Sequence, residues 1–164
     1  MSSKIDDPRV LFERWFDAAF LSLFALPDGD GAIAGMMVAL PLFERYIHVK
    51  MRAVGGGWTF YQHLASELLL SDAEEAKEFW TAFRHGFCHA GMPFEEDREK
   101  RALPRVSLSG GGPKLPRKIS APNGPHVFLL DPWKFIFHVR DIYRANPALL
   151  TQHGQAPLMP IHVA

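Results

Sequence analysis

The sequence predicts a mainly helical fold, a bundle with a Gly/Pro-rich loop or small β-hairpin inserted before its last helix. Three observations predict it. Apolar residues recur at three- and four-residue spacing through residues 8–92 and again after Asp131. Capping and turn signatures separate those segments. Residues 93–130, by contrast, hold Gly110-Gly111-Gly112-Pro113, several further prolines and short β-branched runs. At 164 residues the chain is long enough for one substantial core. It reads as a single domain, 1–164, with a helical core at about 8–92 and 131–146 and an extension at about 93–130.

Asp7-Pro8 opens the first helix, with Asp as N-cap and Pro at the first helical position. Leu11, Trp15, Ala18, Ala19 and Ser22 form one stripe and Phe12, Phe16 and Phe20 a second beside it, which predicts burial over a broad arc. Leu26-Pro27-Asp28-Gly29-Asp30-Gly31 ends the helix. Residues Ala32 to Arg52 read as the second helix, with Ile33, Met36, Met37, Leu40, Phe43 and Ile47 on its apolar side. Pro41 should kink it, because proline removes a backbone donor and crowds the preceding turn. Gly55-Gly56-Gly57 is a break, and Thr59 to Leu70 a third helix.

Ser71-Asp72-Ala73-Glu74 fits an S-x-x-E capping box at the start of the fourth helix. Phe79, Phe83 and Phe87 mark one face at four-residue steps, and Gly91 and Pro93 its end. In the extension, Val106-Ser107-Leu108 and Val127-Phe128-Leu129-Leu130 are the strand-like runs. Asp131-Pro132 then caps a last helix through Tyr143, with Phe135, His138, Val139 and Ile142 at helical spacing. The tail after Asn146-Pro147 reads as peripheral.

Composition narrows the function. Eighteen basic and eighteen acidic residues give zero formal charge, which argues against a sequence-independent DNA coat protein. The single cysteine, Cys88, makes no intramolecular disulfide. The N-terminus is polar, without the apolar core of a signal peptide. The longest apolar stretch, Gly31 to Phe43, is interrupted and too short for a bilayer. The expected home is the cytoplasm, with no membrane contact.

The fourth helix ends Phe83-Arg84-His85-Gly86-Phe87-Cys88-His89, with Arg84 and His89 separated by four residues and a polar residue after the arginine. This resembles the R-x4-6-H motif of the HEPN superfamily, the higher eukaryote and prokaryote nucleotide-binding domains. The context is similar too, a helical bundle with the motif near the end of a late core helix. The closing Leu130-Asp131-Pro132-Trp133-Lys134-Phe135 segment looks like that of uncharacterised bacterial HEPN-like proteins. The resemblance implies a metal-independent endoribonuclease of toxin or defence type, leaving 2′,3′-cyclic phosphate and 5′-hydroxyl ends. It also implies a homodimer in which two motifs face one RNA, and an antitoxin protein as a partner in toxin–antitoxin settings. The alternative within the family is a non-catalytic module that binds nucleotide, RNA or protein.

The residue types suit that chemistry. Imidazole transfers protons near neutrality, so His89 is the candidate acid/base. Arg84 presents a charged planar fork to phosphate oxygens, and His85 is a candidate orienting residue. Positions five apart on a helix differ by about 140° in direction, so Arg84 and His89 flank a cleft. Seven Lys or Arg lie between Arg98 and Lys118. Of these Arg98, Lys100, Arg101 and Arg105 are the candidate RNA contacts, although Glu95-Glu96-Asp97 adjoins them.

Structural roles stand beside these. Arg84 could bridge a helix-end carbonyl or pair with Glu95 or Glu96, and His89 could complement the helix dipole. His85 and His89 share a face, which is half of a zinc site. Gly86 stands where H-E-x-x-H requires Glu, however, and no third ligand is evident, so neither metal nor cofactor is expected. Glu44, Arg45 and His48 read as surface or interface residues.

Overall fold

A computed structural model of the chain describes residues 7–84, 105–120 and 126–152, with residues 105–107 described by their backbone alone. The first helix starts where predicted: Asp7 Oδ1 accepts the Arg9 N–H at 2.9 Å and Pro8 occupies the first turn. It runs as α1 (Pro8–Phe12), a π-helical turn (Glu13–Asp17) and α2 (Ala18–Phe24). Its buried arc is narrower than predicted. Phe12 and Phe20 are buried and Phe16 half-buried, whereas Trp15 is 38% exposed and Ala18 and Ser22 face solvent. The wider π turn shifts the register between α1 and α2, so one 3.6-residue period does not keep both stripes inward.

The central element is α3 (Ala32–Val54). Met36, Leu40, Phe43 and Ile47 are buried, while Ile33 and Met37 lie on the outer side at 39% and 48% exposure. The helix continues past Pro41, whose side chain is exposed. Water can therefore serve the carbonyl that the missing N–H leaves unpaired. Gly35 lets α3 approach the last helix, because a Cβ there would lie 2.7 Å from Ile136 Cδ1. By length and composition α3 could cross a membrane, with a mean hydropathy of 1.2. Half of that apolar window is buried inside the protein, as in the core helix of a bundle. Gly55, with φ of 59°, ends it in a left-handed cap.

A capping box opens α4 (Phe60–Leu68): Thr59 Oγ1 accepts the Gln62 N–H, and Gln62 Oε1 accepts the Thr59 N–H. Leu69 then takes a left-handed conformation (φ 55°, ψ 39°) with its side chain 80% exposed. A non-glycine residue there costs about 1–2 kcal/mol of backbone energy. Leu69→Gly should therefore stabilise the fold by about 0.5–1 kcal/mol, after discounting the extra freedom glycine gains when unfolded. Urea melts check this, and a lowered midpoint would show that Leu69 contributes packing.

Helix α5 (Ala73–Trp80) is capped one residue later than predicted. Asp72 Oδ1, not Ser71, accepts the Glu75 N–H at 2.8 Å, and Glu75 Oε2 accepts the Ser71 N–H at 2.6 Å. Aspartate and serine both cap well, so the S-x-x-E and D-x-x-E readings overlap and the extended backbone of Asp72 selects the second. Residues 81–84 continue α5 as a π-helical turn.

The small β-element precedes the last helix as expected. It comprises β1 (Arg105–Leu108), β2 (Arg117–Ile119) and β3 (Val127–Leu130) in the order β1-β3-β2. β2 and β3 pair antiparallel, and β1 joins the other side of β3 in parallel, Arg105 opposite Val127. Phe128 carries the sheet into the core, meeting Phe79 edge-on at 5.3 Å.

Asp131 caps α6 (Pro132–Ala145) by accepting the Lys134 N–H, and its second oxygen accepts the Gly111 N–H at 2.9 Å. Lys134 Nζ donates to the Gly112 carbonyl at 2.8 Å, so the glycine-rich loop is tied to the start of α6. Phe135, Ile136, Val139 and Tyr143 face inward. The Tyr143 hydroxyl donates to the Leu42 carbonyl at 2.8 Å, and burial raises its pKa. Arg140 pairs with Asp17, joining α6 to the first helix.

The expectation of a peripheral tail needs correction. Pro147–Leu150 form a 3₁₀ turn with Leu149 and Leu150 buried. Arg45 donates to the carbonyls of Leu149 at 2.8 Å and Leu150 at 2.6 Å. Two buried leucines and a guanidinium clamp outweigh the freedom of a short segment. Residues beyond Gln152 lie outside the described ones.

Candidate functional site

Two helix faces and one helix start meet around Arg84. Glu44 and His48 are four apart on α3 and share a face; Trp80 and Arg84 are four apart along α5 and its π turn. Phe60 and Tyr61 come from the first turn of α4. Together the six line an open cleft of about 320 Å³. Its walls are ring against ring: His48 lies 5.0 Å from Phe60, and Phe60 5.8 Å from Trp80. Behind them Trp80 contacts Phe43, which is fully buried.

Arg84 is held by a carboxylate. Its Nε and Nη2 both approach Glu44 Oε2 at 3.2 Å, with the two side chains 29% and 28% exposed. The sequence reading offered Glu95 or Glu96 as ionic partners; those residues lie outside the described ones, and the partner seen is Glu44, forty residues away. The contact orients the guanidinium at the cleft wall and leaves it partly open to solvent.

The cleft walls are fixed to each other by a second polar cluster. Tyr46 donates its hydroxyl proton to Glu67 Oε2 at 2.7 Å, and Lys50 donates to the other Glu67 oxygen, joining α3 to α4. Burial raises the Tyr46 pKa, and the hydrogen bond to Glu67 raises that of Lys50. In this protonation state both groups donate to the Glu67 carboxylate.

Of the residues singled out in the sequence, Arg84 lies in this cleft. His85, His89, Arg98, Lys100 and Arg101 fall outside the described residues, and Arg105 is placed only as the first backbone position of β1. Among the described residues no cluster of three His, Cys, Asp or Glu could hold a metal; the His85–His89 pair lies outside them. The later part of the basic run is described. Lys118 pairs with Glu78 on α5 at 3.0 Å and lies over the Phe128 ring, while Arg117 is exposed.

Glu44 and His48, read from sequence as surface or interface residues, are partly exposed and line this open cleft. Their spacing of four was the visible signal. It marks a polar helix face, but nothing local says that the end of α5 closes over it.

The chain matches no protein-family model, and no curated protein or solved structure is significantly similar to it.

Proposed function

We propose that this protein is a HEPN-like, metal-independent endoribonuclease that acts in the cytoplasm as a homodimer, with Arg84 and His89 as its reactive pair. The observation that carries this reading is the position of Arg84, oriented by Glu44 at the wall of an open cleft. In such a reaction the 2′-oxygen of RNA attacks the adjacent phosphorus and the 5′-oxygen leaves. Negative charge grows on the phosphoryl oxygens, and a guanidinium already in place stabilises it without reorganising. His89 takes the 2′-hydroxyl proton. His85 orients the motif, and Arg98, Lys100, Arg101 and Arg105 gather the RNA backbone. An antitoxin protein would be the partner that masks this activity in a toxin setting.

A second reading, a non-catalytic nucleotide- or RNA-binding module, draws on the aromatic walls supplied by Phe60, Tyr61 and Trp80. The two part on product chemistry. Purified protein incubated with cellular RNA in excess EDTA should leave 2′,3′-cyclic phosphate ends. Bound but intact RNA would establish the binding module instead.

A further inference from the structure

The chain as a whole is neutral, but its β-element and the first turn of α6 are not. From Arg105 to Lys134 they hold five Lys or Arg and one acid, Asp131. Two of the cations are matched: Lys118 by Glu78 at 3.0 Å and Lys134 by Asp131 at 3.7 Å. Lys114 and Arg117 are exposed and pair with no acidic side chain among the described residues.

Arg117 stands at a groove. About 740 Å³ of open space is lined by the loop Gly111–Pro113, by β2 with the Ser120 after it, and by Leu129 of β3. The register sets Arg117 opposite Leu129 and Ile119 opposite Val127, and cross-strand partners share a face. Buried Phe128 occupies the other face, so the guanidinium adjoins an apolar strip turned away from the core. The loop side of the groove is main chain. Gly111, at φ of 85°, has nothing within 4 Å of where a Cβ would be, and its N–H is held by Asp131 at 2.9 Å. A Cβ on Gly112 would lie 3.0 Å from the Ser109 carbonyl oxygen. That side is therefore bare and fixed in shape.

Among the described lining residues there is no carboxylate, no aromatic ring and no side-chain amide. The groove thus offers a cation and an apolar floor, without groups that stack on a base or read its edge. Those features complement a sugar–phosphate backbone, ribose over Ile119 and Leu129 and phosphate at the guanidinium. We propose that this groove binds the backbone of single-stranded RNA, with Arg117 as its phosphate contact. The inference rests on RNA being the ligand, which both functional readings allow. It concerns a separate place, since the groove shares no lining residue with the Arg84 cleft.

The probe is an RNA oligonucleotide with every 2′-hydroxyl methylated, which removes the nucleophile and keeps binding apart from cleavage. Fluorescence anisotropy across a salt series gives its affinity for wild type, Arg117→Ala, Ser120→Asp and Arg14→Ala. All three positions are exposed, so the variants should fold. Each phosphate contact on a single strand contributes about 0.7 to the slope of log affinity against log salt, and Arg117→Ala should flatten it by about that much. Ser120→Asp, which sets a negative charge in the groove, should weaken binding. Arg14 lies on the first helix and controls for net charge, so its loss should leave the slope unchanged.

A wild-type slope in Arg117→Ala, unchanged affinity in Ser120→Asp, or an equal flattening in Arg14→Ala would overturn the groove while leaving the RNA reading in place. A wild type that binds no oligonucleotide would overturn both. Binding of polyglutamate with the same dependence on Arg117 would make the partner an acidic protein and overturn the assignment to RNA.

Discussion

Arg84→Ala should lower the rate of RNA cleavage by about 10²–10³-fold while leaving the protein folded, the loss typical when one preorganised charge-stabilising donor is removed. The fold should survive because the Arg84–Glu44 pair is more than a quarter exposed on both sides, and such pairs contribute about 0–1 kcal/mol to stability. Arg84→Lys should recover little. An ammonium is a point charge and cannot present Nε and Nη2 together, the two nitrogens that approach Glu44 Oε2. Single-turnover rates under matched conditions, with circular dichroism as the control for folding, check both variants. A folded Arg84→Ala variant that cleaves within about twofold of wild type would remove Arg84 from the chemistry, since a preorganised donor contributes on the order of 10²-fold or more.

The second large effect is on stability. Phe43 is fully buried and its ring contacts Tyr46, Trp80, Phe135 and His138. It thus links α3 to α5 and α6 and lies directly behind the cleft wall. Phe43→Ala deletes that hub and leaves a cavity that neighbours from several elements cannot close together. The expected loss is about 3–5 kcal/mol, a large share of the roughly 5–15 kcal/mol that holds a domain folded. Urea denaturation should show a lower midpoint with an unchanged slope. A loss under about 1 kcal/mol would mean that the aromatic cluster is not one cooperative core.

The helices were legible where a local signal sufficed. Asp7-Pro8, Asp131-Pro132 and the Gly55–Gly57 break each act within one turn of chain, and each does in the structure what the sequence suggests. Misreadings came from effects one step less local. Competing caps at Ser71 and Asp72 differ by one residue and are settled by backbone conformation. The π turn at Glu13–Asp17 changes the register that periodicity assumes. Long-range pairing was the least visible. The parallel partner of β3 lies some twenty residues upstream, and the tail is held by Arg45, more than a hundred residues away.

The candidate site follows the same rule. Arg84 was legible because a short helical motif drew attention to it. Glu44 was not, because its pairing with Arg84 is a contact forty residues long. A carboxylate and an imidazole on a polar helix face look alike in sequence whether the face meets water or the end of another helix. Here it meets α5, and the cleft is the result.

The most direct measurement is the cleavage rate of one defined RNA oligonucleotide by wild type and by His89→Ala, side by side in excess EDTA. The account predicts cleavage by wild type, a cyclic phosphate on the upstream product, and a rate lower by about 10²–10⁴-fold for the variant, the range of acid–base catalysis. Equal cleavage by both proteins, or cleavage that EDTA abolishes, would contradict it.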